Sequence, residues 1–235
     1  MRAARGRSVL VSAAYAGGVA VSVGLIAASL THVAPMDITE VLGFVTGAWG
    51  VWLTVKENIW NWPIGIANDV FYIVLFLQAR LFADTALQVI YVVLGFLGWY
   101  WWLRGGEQKT VLRVSRTSLR TAWVLLVILG VSTWAMTLFL AGIHDSAPFL
   151  DALTTTLSLI AQYMLTRKLF ENWFVWITAD VIYIGLYIYK ELYLTAGLYA
   201  IFLAMCVAGL WQWRRSMAAH REHGWLEAPA HVTAL

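Results

Sequence analysis

Trp60-Asn61-Trp62-Pro63-Ile64-Gly65-Ile66-Ala67-Asn68-Asp69-Val70-Phe71-Tyr72 returns later in the chain as Asn172-Trp173-Phe174-Val175-Trp176-Ile177-Thr178-Ala179-Asp180-Val181-Ile182-Tyr183. Without a gap, Asn61 falls on Asn172, Trp62 on Trp173, Asp69 on Asp180 and Tyr72 on Tyr183. The same offset carries Leu75 onto Leu186, Gly98 onto Gly209, Trp102 onto Trp213 and Arg104 onto Arg215. An internal repeat of this length decides the architecture before any single element does.

The composition says where such a repeat lives. Of 235 residues, 61% are hydrophobic and 12% charged, against about 45–50% and about 25% in soluble domains. Apolar runs of about twenty residues match a bilayer core about 30 Å thick. The first repeat reads as spans near 39–56, 61–79 and 85–103, and the second as 149–166, 172–189 and 192–213, with one lone span near 121–142 between them. Arg2, Arg5 and Arg7 precede a further apolar run, Val9 to Leu30. It is longer than a signal-peptide core of about 7–15 residues and has no clear cleavage site, so it reads as a membrane anchor. Pro63 suits a first helical turn, Asn61 can cap it, and Gly43 and Gly47 offer a small-residue contact face.

These spans predict an all-α integral membrane protein of about eight crossings. Its parts are an anchor helix and loop (1–38), a three-helix unit (39–104), a basic loop and linker helix (105–148), a second unit (149–215) and a polar cytoplasmic tail without a fold of its own (216–235). The lone span has a topological reason. Three helices end on the far side from their start, so one more crossing makes the second copy parallel to the first. Charge supports the count: with both termini inside, every basic residue except Arg80 and Lys190 is cytoplasmic, as the positive-inside rule requires.

Function classes fall away quickly. Basic residues scattered between apolar spans are no nucleic-acid surface. The histidines lie in loops and the tail, so no metal or haem site is expected. No Walker loop and no nucleophile–base pair is present, and the last span has no lysine for a retinal Schiff base. Cys206, the single cysteine, lies in an apolar run as packing. No cofactor and no enzymatic activity are expected.

What remains is one helical face. Trp173, Trp176, Asp180, Tyr183 and Tyr187 share it, with Trp62, Gly65, Asp69, Tyr72 and Phe76 in the first copy. Each aspartate lies about 12 Å along its helix from the asparagine that opens it, which is mid-membrane depth. Carboxylates there face a cavity or a partner. Plainer readings stand beside this: Trp62 and Trp173 as interface anchors, Asp69 and Asp180 as structural hydrogen-bonders, and Tyr183 and Tyr187 as their partners. Gly65 opposite Trp176 leaves room in one half for a flat ligand set against the other. Gln88, one turn from Tyr91 and replaced by Tyr199 in the second half, can give and accept hydrogen bonds. Gln162 and Asn58 are weaker candidates. Aromatic faces with buried carboxylates suit a planar cation.

At Asn58-Ile59-Trp60-Asn61-Trp62-Pro63-Ile64-Gly65, Leu87-Gln88-Val89-Ile90-Tyr91 and Asn172-Trp173-Phe174-Val175-Trp176 the chain resembles the PnuC family of bacterial vitamin transporters, over about residues 39–215. The resemblance implies a 3+1+3 fold like that of SWEET transporters, an inner-membrane homotrimer, and nicotinamide riboside as substrate, with thiamine or riboflavin as family alternatives. It implies facilitated diffusion with trapping by phosphorylation. It maps a paired-tryptophan motif onto Trp173 and Trp176 and a substrate-contacting glutamine onto Gln88. The substrate-binding subunit of an ATP-driven importer is the reading from another class. The extra N-terminal span departs from the 3+1+3 pattern.

Overall fold

The computed structural model describes residues 2–31, 38–78, 80, 82–143, 147–189, 191 and 193–227. The polar break around His32 and Pro35, His144-Asp145, Lys190 and Pro229 lie outside the described residues. The chain is helical: α1 Arg2–Leu30, α2 Ile38–Val55, α3 Asn61–Gln78, α4 Phe82–Arg104, α5 Leu119–Gly142, α6 Pro148–Thr166, α7 Asn172–Tyr189 and α8 Tyr193–Glu227. A short 3-10 turn, Glu107–Lys109, interrupts the linker. The starts of α2, α3 and α4 recur to within a residue as those of α6, α7 and α8, at the offset read from the sequence.

The joints recur as well. Glu57 and Lys168, at equivalent positions just past α2 and α6, both take positive φ (53° each), and Arg80 and Glu191 do so past α3 and α7 (60° each). The left-handed conformation ends a helix by turning the chain away from its last carbonyls. Glycine usually occupies it, and here four charged side chains do.

Two differences from the sequence-based expectation have simple causes. α8 runs on to Glu227 through the segment expected to be unstructured. Arg214-Arg215-Ser216-Met217-Ala218-Ala219 is mostly good helix former, and extending an existing helix avoids the nucleation cost. Asn61 does not cap α3: its Nδ2 donates to Thr54 Oγ1 at 3.1 Å, bracing the end of α2. Asn58 serves the turn, with Oδ1 accepting from the Trp60 N–H at 2.9 Å.

Among the described residues, three helices are long and apolar enough to cross a bilayer by length and composition: Asp84–Arg104, Leu119–Gly142 and Thr195–Ala219. Tyr15–Leu30 and Val41–Val55 are shorter apolar segments. The others carry asparagine, aspartate or runs of threonine that lower their hydropathy. α5 buries little, and Trp123, Leu126, Val127, Val131, Trp134, Leu138 and Phe139 stand exposed along it. Such a belt is stable only against acyl chains or another apolar surface.

The chain divides into two compact units, Met1–Trp49 and Gly50–Leu235. In the first, Tyr15 stacks on Trp49 at 5.9 Å and the Trp49 indole N–H donates to Ser22 Oγ at 3.1 Å. In the second, α3 pairs with α4 and α7 with α8, while α6 packs against α4, α5 and α7.

The core of the second unit is a tryptophan cluster at the end where α3 and α7 begin and α4 finishes. Trp62 meets Trp102 edge-on at 5.4 Å, Trp173 meets Trp213 edge-on at 5.3 Å, and Trp102 reaches Trp213 at 6.0 Å. The indole N–H of Trp102 donates to the Leu165 carbonyl at 3.0 Å, and that of Trp213 to the Thr54 carbonyl at 3.1 Å. Residues 54 and 165 are repeat equivalents, as are 102 and 213, so each copy gives the other the bond it receives. Reciprocity of that kind is how two-fold related surfaces meet.

Candidate substrate site

α7 turns its predicted face into the protein. Trp173 is 1% exposed, Asp180 is buried, and Trp176, Tyr183 and Tyr187 are half-buried, while Phe174, Val181 and Ile188 on the other side are exposed. Trp62 and Trp173 are not interface anchors. Each ring fills a notch left by a glycine: a Cβ on Gly98 would lie 2.2 Å from the Trp62 ring, and one on Gly209 2.4 Å from that of Trp173. Trp60 and Trp211, by contrast, are exposed indoles. Trp176 lies on the margin of the tryptophan cluster, one turn further into the bundle than Trp173.

Beyond that cluster the interior becomes polar. Asp180 Oδ2 accepts from the Cys206 thiol at 3.4 Å, which joins α7 to α8. Tyr183, Tyr187 and Tyr199 form a ring group, with Tyr183–Tyr199 at 4.7 Å and Tyr187–Tyr199 at 5.2 Å. Tyr91 of α4 and Tyr183 of α7 both lie near the buried Ser158 hydroxyl on α6, and Tyr183 also lies near Thr154. Asp69 of α3 lies close enough to Tyr91 to interact electrostatically, as Asp180 and Asp151 do with Tyr183. In the first repeat, Tyr72 stacks on Phe76 at 5.5 Å. Gln88 carries a buried Oε1 with no protein partner.

The structure thus brings Asp69, Tyr91, Asp180 and Tyr183 around one hydroxyl-lined interior. Trp173 lies in the glycine notch beneath it, and Asn58 is engaged in the α2–α3 turn. Sequence reasoning missed Asp151, Thr154 and Ser158. Their spacing of three and four residues on α6 was the available signal, and the first copy has Glu40, Gly43 and Gly47 in their places. Two clefts lie elsewhere, along α5 and α6, with volumes of about 320 and 520 Å³.

A buried amide oxygen without a donor, phenols near a serine hydroxyl, and carboxylates beside aromatic faces can together orient a flat polar molecule. The chain is similar to the nicotinamide riboside transporter PnuC of Escherichia coli K12, 26% identical over 79% of this chain and 87% of that protein. It is similar to the riboflavin/roseoflavin transporter RibM of Streptomyces davaonensis, 22% identical over 75% of this chain and 82% of that one. The crystal structure of the vitamin B3 transporter PnuC shares the fold, with a TM-score of 0.66 at 20% identity, covering 86% of this chain and 92% of that chain. The family model described as nicotinamide mononucleotide transporter matches residues 37–215, and this chain belongs to that family of membrane transporters, the one that includes PnuC.

Proposed function

We propose that the protein carries nicotinamide riboside across the inner membrane by facilitated diffusion, with phosphorylation in the cytoplasm trapping the product. The observation that carries this reading is the buried Gln88 Oε1, an acceptor with no donor from the protein. Leaving such an atom unmatched costs about 1–3 kcal/mol, and the carboxamide N–H of nicotinamide is a donor that would satisfy it. Trp176, backed by Trp173, supplies an aromatic face for the pyridinium ring. Asp180 and Asp69 offset its charge, and Tyr91, Tyr183 and Ser158 take the ribose hydroxyls. The reciprocal bonds between the copies support two parallel, SWEET-like repeats rocking about a shared axis; the same reading has eight crossings, both termini cytoplasmic and three protomers per assembly.

The test is calorimetric binding of nicotinamide riboside, thiamine and riboflavin to the purified protein, followed by uptake of the labelled ligand into liposomes with and without a proton gradient. Binding of nicotinamide riboside alone, with gradient-independent uptake, is the expected result. Strong binding of riboflavin alone would overturn it in favour of the second reading, which the similarity to RibM supports. A riboside that binds but does not cross unaided would point to a subunit of an ATP-driven importer. Light scattering in detergent reads the trimer.

A further inference from the structure

The turns that close α2 and α6 do more than reverse the chain. Glu57 and Lys168 are repeat equivalents of opposite charge, and they pair with each other: Lys168 Nζ lies 2.9 Å from Glu57 Oε2, with side chains 5% and 19% exposed. The two partners are held very differently. Lys168 Nζ also donates to the Leu112 carbonyl at 3.1 Å and sits over the Trp102 ring at 4.6 Å. Its backbone carbonyl accepts from the Ser115 N–H at 3.2 Å, and the Phe170 N–H donates to the Ser115 carbonyl at 2.8 Å. Three residues after Lys168, Glu171 accepts from the Thr117 N–H and hydroxyl, both at 2.7 Å, and meets Arg116 at 3.3 Å. The linker therefore straps the α6–α7 turn to the end of α4, where the Leu112 N–H donates to the Trp102 carbonyl at 3.0 Å. For Glu57, by contrast, the described side-chain contact is Lys168 alone.

Directly inside this pair lies the tryptophan cluster with its two reciprocal indole bonds, and Val55 at its edge is 2% exposed. The polar interior of Asp180, Tyr91, Tyr183 and Ser158 is further from this end. Thr54–Trp213, Trp102–Leu165 and Glu57–Lys168 are the contacts that join the two copies at the basic end of the bundle, between that interior and the end.

We propose that Glu57 is the releasable half of a latch that holds the basic, cytoplasmic gate shut, with strapped Lys168 as its fixed keeper. This rests on the transport reading above. Opening then moves the α2–α3 turn away from a stationary α6–α7 turn. The two like copies need not move alike, because only one is strapped. Losing a partly desolvated pair shifts a two-state gate roughly five- to tenfold.

The test uses the full chain in inside-out vesicles. Val55→Cys is labelled from the cytoplasmic face with a membrane-impermeant maleimide, and the label is located by mass spectrometry to separate it from Cys206. Glu57→Gln should speed labelling at position 55 roughly five- to tenfold, and Glu57→Asp should return it most of the way to the parent rate. Equal rates for the three would overturn the latch. Should Val55→Cys fail to fold, hydrogen exchange on Glu57→Gln alone gives the same answer. Peptides over the α2–α3 turn should exchange faster while those over the strapped α6–α7 turn stay unchanged, and equal acceleration at both turns would refute the fixed keeper. Uptake of labelled nicotinamide riboside by the parent chain is measured in parallel. Absent uptake with a Glu57-dependent labelling rate would sink the choice of substrate and leave the latch standing.

Discussion

Gly209→Ala puts one methyl group into a glycine notch of the core that is already filled by an indole ring. The new Cβ would lie 2.4, 2.4 and 2.6 Å from three carbons of the Trp173 ring, where ordinary contact begins near 3.4 Å. The ring has nowhere to go: Trp173 is 1% exposed, and Trp213, which it meets edge-on, is 0% exposed. Relief needs a shift of about 1 Å in a close-packed cluster, and overpacking of this kind costs about 1–3 kcal/mol. Alanine's better helix propensity returns up to about 1 kcal/mol. Gly197→Ala on the same helix isolates that return, because its Cβ would meet nothing within 4 Å. At about 2–4 °C per kcal/mol for a chain of this size, Gly209→Ala should melt about 2–12 °C below Gly197→Ala in detergent, read by loss of the monodisperse peak on heating. Gly98→Ala, 2.2 Å from the Trp62 ring, should behave like Gly209→Ala. Equal melting of Gly209→Ala and Gly197→Ala would refute the notch.

Trp102→Phe and Trp213→Phe each remove an indole donor from a buried carbonyl of the other repeat. Both should lower stability by about 1–3 kcal/mol, and by similar amounts if the reciprocity is energetic as well as geometric. Two unequal melting shifts would deny that. Trp176→Ala should weaken nicotinamide riboside binding at least tenfold by calorimetry, about 1.4 kcal/mol, while melting within a few degrees of the parent; unchanged affinity removes Trp176 from the site. Glu171→Ala cuts both Thr117 bonds and the Arg116 pair, and should expose the linker to limited proteolysis between 105 and 118 well before the helices are cut.

Legibility in the sequence followed the strength of the physical signal. The repeat and its helix bounds were open to reading because hydropathy and spacing act over many residues. The inward face of α7 was legible for the same reason. The joints were not: Glu57, Arg80, Lys168 and Glu191 adopt a conformation that sequence associates with glycine, so nothing marked them. The linker looked like a solvated basic loop, because hydrogen bonds such as Ser115 to Lys168 and Phe170 are made by the backbone and leave no residue pattern. Trp173 illustrates a subtler limit. Its depth and its face follow from helix geometry, but its notch depends on Gly209 on another helix, and a pair so far apart in sequence is recognised only once both are placed. Asn61 looked like a cap and is a brace for the same reason, since Thr54 lies across a turn whose shape was unknown.

Opposite charge at corresponding joints has a consequence for how the two halves choose one another. Were two copies of the first half to associate, Glu57 would face Glu57. Two copies of the second would set Lys168 against Lys168, with little solvent to soften the repulsion. Cutting the chain within the linker and co-expressing the fragments should therefore yield mixed pairs rather than like pairs. At these two residues each half is matched to the other and not to a copy of itself.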